Sequence, residues 1–98
     1  MSIKLFNEAK AKYMKTLKMY VPVVARVHGQ SHPEFHEVHA LFDALIKKTE
    51  AQPDQPELGE EFSKLRKITK DYAVPDDVCE SYEAVYSMLA ELDRAYHA

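Results

Sequence analysis

The stretch Val24-Ala25-Arg26-Val27-His28-Gly29-Gln30-Ser31-His32-Pro33-Glu34-Phe35-His36-Glu37-Val38-His39 decides the fold, because it reads as one helix ending, a tight connection and a second helix beginning. Gly29 supplies the stop, since glycine takes the left-handed conformation cheaply at a helix C-terminus. An imidazolium at His28 suits the negative end of the helix dipole. Ser31 offers a side-chain cap, Pro33 fits a first turn, and Glu34 stands three residues after the serine as a capping box requires.

Working outward, Ile3, Phe6, Met14, Leu17, Val21, Val24 and Val27 fall mostly three or four apart, which predicts a helix over 3–27. Pro22 inside that pattern removes a backbone donor and predicts a kink or break near Lys18–Tyr20. Downstream, Phe35, Val38, Phe42, Leu45 and Ile46 share one face of a second helix, expected to end near Glu50 before the prolines of Ala51-Gln52-Pro53-Asp54-Gln55-Pro56. A third helix over roughly 57–72 carries Leu58, Phe62, Leu65, Ile68 and Tyr72, and Val74-Pro75 ends it. Asp76 and Asp77 then fall in the next first turn, where the dipole favours acids. The fourth helix has the most regular stripe: Val78, Tyr82, Val85, Leu89, Leu92 and Tyr96. No stretch reads as a strand. The expectation is an all-α, antiparallel up-down four-helix bundle in a single domain, 1–98, with Phe6, Leu17, Val24, Phe42, Leu45, Phe62, Leu65, Tyr82, Leu89 and Leu92 in its core.

With 98 residues, 46% apolar and 30% charged, the chain fits one soluble globular domain. No apolar run approaches the eighteen or so residues of a membrane span, and Met1–Glu8 lacks the apolar stretch of a secretory signal. A single cysteine, Cys79, excludes an internal disulfide and suggests a reducing cytoplasm. The net charge of −3 conceals an asymmetry: residues 1–30 carry six bases against one acid, and residues 31–98 seven bases against fifteen acids. An acidic chain argues against a nucleic-acid partner. The basic first helix is expected to lie beside acidic neighbours, within the chain or across a dimer.

The words VARVHG (24–29) and HPE (32–34), together with Leu65-Arg66 through Asp71-Tyr72, Pro75-Asp76-Asp77-Val78-Cys79 and Tyr82 through Leu92, resemble the hemerythrin-like di-iron proteins that repair iron-sulfur clusters. The resemblance implies a four-helix bundle, two irons held between histidines and carboxylates, and repair of oxidatively or nitrosatively damaged clusters under stress. It also implies where ligands should stand, and there this chain departs from the pattern. The family's first-helix histidine falls at Asn7, its second-helix histidine near Gln52, and its third-helix histidine at Gln55. A glutamate one turn after the second is missing, and the last helix stops at His97-Ala98, about where the final histidine and glutamate would begin. The chain reads as a shortened, ligand-depleted relative.

Four of the five histidines nevertheless fall within twelve residues, and imidazole is the commonest metal ligand. His32, His36 and His39 share a helix face, so His28, His32, His36 and His39 are the candidate ligands for iron or zinc. The competing expectation makes them half-exposed, hydrogen-bonded edge residues, because the H-x-x-x-H-x-x-H spacing lacks the internal base of HExxH. Cys79 reads as a small buried hydrophobe, since a reactive thiol needs a basic neighbour and Asp76, Asp77 and Glu80 surround it in sequence. No catalytic residue is assigned and no cofactor is expected. Tyr13, Met19, Tyr20, Tyr86 and Met88 lie on helix flanks and point to a homodimer or another protein partner. Three functions therefore stand side by side: a non-enzymatic module, a metal-binding protein, or part of a longer repair protein.

Overall fold

The computed structural model describes residues 3–98; Met1 and Ser2 of the expected domain lie outside the described residues. It contains four helices: α1 Ile3–His28, α2 Glu34–Ala51, α3 Gly59–Thr69 and α4 Glu80–Tyr96. They form an all-α four-helix bundle in which α1 lies against α2 and α4, and α2 against α3. The longest axis of 37 Å is about the length of the 26-residue α1 at 1.5 Å per residue.

All ten expected core side chains are buried, joined by Val21, Ala25, Phe35, Val38, Leu58, Val85, Tyr86 and Tyr96. Rings dominate the packing. Phe6 meets Phe62 and Tyr96 edge-on at 6.5 and 5.4 Å, and Phe35 stacks on Tyr86 at 6.2 Å. The Tyr96 hydroxyl donates to Pro56 O at 3.1 Å and accepts from Leu58 N at 2.8 Å, which fastens the α2–α3 connection to the end of α4.

Three local expectations are corrected. First, α1 runs through Pro22 without the expected break. A helical proline costs about 3 kcal/mol, but Leu17, Val21, Val24 and Ala25 are buried on both sides of it, and each large apolar side chain buried returns roughly 1.5–3 kcal/mol. Second, Ser31 does not cap α2: Pro33 is the N-cap residue, without a side-chain bond. Glu34 is engaged by His32, so the reciprocal capping box does not form. The amides of Phe35 and His36 are met instead by the carbonyls of His32 and Pro33 at 3.0 and 3.1 Å. Third, α3 stops at Thr69, and Lys70, Asp71 and Tyr72 all take left-handed φ values of 54°, 59° and 62°. Such residues cost about 1–2 kcal/mol each. The turn is held by Asp71 N on Arg66 O, Tyr72 N on Thr69 Oγ1 and the Tyr72 hydroxyl on Asp93 Oδ2. Consequently α4 starts at Glu80 with Cys79 as N-cap, and Asp76 and Asp77 remain in the preceding connection.

Candidate functional site

The fold brings the α1–α2 connection beside the α3–α4 connection at one end of the bundle. His28, in the last turn of α1, places Nε2 3.1 Å from Cys79 Sγ. His32 sits between two carboxylates, Nδ1 3.0 Å from Glu34 Oε1 and Nε2 2.9 Å from Asp77 Oδ1. Carboxylates only accept, so the ring satisfies both bonds when each nitrogen carries a proton. Both imidazoles stand edge-on to the Tyr82 ring, at 5.5 and 5.6 Å between centroids. These two pairs stitch one connection to the other.

The remaining candidates do not join them. His39 Nε2 lies 3.6 Å from Asp43 Oδ2 on its own helix. His36 is exposed, and its ring covers Gly29. That contact explains the glycine: its φ is not positive, but a Cβ there would overlap both Ala25 O and the His36 ring. The expected left-handed stop is thus replaced by close approach. Cys79 is corrected too, being exposed and adjacent to a base that the sequence order concealed.

Beneath the histidines, Tyr82 and Tyr86 are buried with their hydroxyls 2.9 Å apart. Burial, and nearby Glu34, push the titration of both phenols upward. Tyr86 is therefore not a surface flank residue. A cleft of about 340 Å³ opens beside this pair, lined by His32, Glu34, Thr69, Lys70 and Tyr86 among others. Its groups can exchange protons and hydrogen-bond a small polar molecule.

In the last turns of α4, Asp93 is only 5% exposed. It accepts from Arg66 Nη1 at 2.7 and 2.8 Å and from the Tyr72 hydroxyl at 2.7 Å, and His97 Nδ1 lies 2.8 Å from Oδ1. Burial, followed by the bond to Asp93, raises the titration of Tyr72. The linear sequence did not single out Asp93, because two of its three partners, Arg66 and Tyr72, lie on α3 and in the α3–α4 connection. Glu61 is likewise buried; its Oε2 pairs with Lys48 at 2.8 Å, while Oε1 has no hydrogen-bond partner.

No family model matches the chain, and no solved structure matches it. It is similar to curated proteins named iron-sulfur cluster repair protein ScdA. Identity is 25% over 124 residues with that of Staphylococcus haemolyticus (strain JCSC1435), covering 94% of this chain and 56% of the relative. With that of Staphylococcus epidermidis (strain ATCC 35984) it is 23%, covering 94% and 55%. The chain thus spans about half the length of the curated relatives it matches.

The iron pair that the resemblance implies does not fit these residues. Asn7 and Gln55 are exposed, as is Gln52. The interior, where ligands from several helices would have to converge, is filled by Phe6, Phe42, Phe62, Leu65, Leu89 and Tyr96. Among the described residues no group of three or more His, Cys, Asp or Glu is placed to hold a metal ion. Also among the described residues, no helix is long and apolar enough to cross a membrane.

Proposed function

We propose that this chain is a non-enzymatic helical-bundle module of hemerythrin-like type, related to the iron-sulfur cluster repair proteins. It keeps their scaffold in shortened form, lacks their di-iron site and acts by self-association or through a protein partner in the cytoplasm. The observation that carries this reading is the apolar, ring-filled interior at the level where a di-iron site needs converging ligands. The similarity over 94% of the chain supports the kinship. The aligned stretch of 124 residues exceeds the 98 of this chain, which supports shortening.

A second reading is metal binding, of iron or zinc, around His28–His39 or across a dimer. The His28–Cys79 pair favours it, because it sets a nitrogen and a sulfur donor 3.1 Å apart. Elemental analysis of protein purified without a metal-affinity tag separates the two. Far less than one equivalent of any transition metal supports the first reading; stoichiometric metal lost in Cys79→Ser and His28→Ala selects the second.

A further inference from the structure

We infer that the outward face of α1 is a docking surface for an acidic amphipathic helix belonging to a partner protein. The inference rests on the reading above, that the chain acts through protein contacts, and supplies the surface and the occupant.

The first observation is apolar. Met19, Val23 and Val27 are 61%, 43% and 63% exposed. They are spaced i, i+4, i+8, so at 100° per residue they form a ridge spanning about 80° of arc and about 12 Å of helix. A row of that spacing is what seats in the groove between two rows of another helix. Away from α1, Val74 is the other large hydrophobic side chain as exposed among the described residues.

The second observation is electrostatic and independent of the first. The sequence predicts a basic first helix with acidic neighbours, yet every ion pair found among the described residues lies outside α1. Lys12, Lys15 and Arg26 are exposed, and by the same 100° steps they fall within about 60° of Met19, the two lysines about one and two turns before the ridge and Arg26 beside it, with Glu8 the one acid of α1 on that face. α1 packs on the acidic α4, yet none of its bases forms an ion pair among the described residues. A ridge flanked by cations without a carboxylate partner calls for a partner helix with apolar residues in its centre and Asp or Glu at its edges.

Charge also chooses between the two sources of such a contact. Packing α1 against α1 of a second copy would oppose like charges, at a cost in affinity. The acidic remainder of the chain offers only Val74 as an exposed large apolar side chain, so it presents no matching ridge among the described residues. A separate acidic helix meets both demands.

The test uses the whole chain and two synthetic peptides of about twenty residues, long enough for a helix in water. One has a leucine ridge edged by glutamates; the other has the same composition in scrambled order. Fluorescence anisotropy is expected to show binding of the patterned peptide at least about tenfold tighter than the scrambled one, weakening at least about fivefold from 50 to 300 mM salt as exposed ion pairs are screened. Val23→Asp and Arg26→Glu, both at exposed positions, should each weaken binding at least about fivefold while the helical spectrum stays unchanged. Equal binding of the two peptides, or no effect of either variant, overturns the surface. A dimer in sedimentation that Val23→Asp dissociates overturns the partner and assigns the ridge to a second copy, leaving the proposed module intact. Anionic vesicles that bind more tightly than the patterned peptide overturn the helix assignment.

Discussion

Replacing Asp93 by alanine tests the buried network that closes the α3–α4 side of the bundle. The carboxylate accepts from Arg66 and from Tyr72, and it ties a run of three left-handed residues to α4. Removing it leaves the half-buried Tyr72 hydroxyl without its acceptor, a penalty of about 1–3 kcal/mol. The Arg66 side chain is 38% exposed, so solvent rehydrates it and its lost pairing adds at most about 1 kcal/mol. The expected loss is therefore about 1–4 kcal/mol, which for a chain of this size lowers Tm by roughly 5–30 °C. Urea denaturation followed by circular dichroism measures it. Tyr72→Phe alone should cost about 1 kcal/mol, and the double variant should lose less than the sum, since both changes break one bond. A loss below about half a kilocalorie for Asp93→Ala, or strict additivity with Tyr72→Phe, refutes the network as a source of stability.

Two further outcomes follow from the packing. Gly29→Ala inserts a Cβ against Ala25 O and the His36 ring, and should cost about 1–3 kcal/mol as overpacking does; the companion His36→Ala, in a Gly29→Ala background, should recover part of that loss in the same denaturation assay, and no recovery contradicts the His36 contact. Tyr72, Tyr82 and Tyr86 all titrate above the usual tyrosine range. Their neutral forms favour the folded state, so stability is full below about pH 10 and falls as the pH rises beyond it; an unchanged urea midpoint between about pH 9 and 11 argues against that burial.

The sequence exposed most of this fold because helix period and burial are local. The stripe from Tyr82 to Tyr96 places Tyr82, Val85, Leu89, Leu92 and Tyr96 in the core as expected. What it could not expose depends on partners distant in sequence. Glu34 stands at the right spacing for a capping box, but His32 takes its carboxylate. Tyr72 lies on the third apolar stripe, but its bond to Asp93 draws it into a left-handed turn after α3. Cys79 is surrounded by acids along the chain and by His28 in space. The histidine cluster is compact in sequence, yet the fold sends His28 and His32 across to the α3–α4 connection and leaves His36 and His39 on α2. The basic first helix was readable; that it makes no ion pair among the described residues was not.

Iron capacity decides whether the bundle interior holds a di-iron pair. Protein purified without a metal-affinity tag is incubated anaerobically with excess ferrous iron, exposed to air and passed through a desalting column. With Asn7 and Gln55 where the resemblance expects two of the ligands, and Phe6, Phe42, Phe62 and Tyr96 among the side chains of the core, the protein should stay colourless and retain far less than one iron per chain. Two irons per chain, with the near-ultraviolet absorption of an oxo-bridged pair, would contradict it.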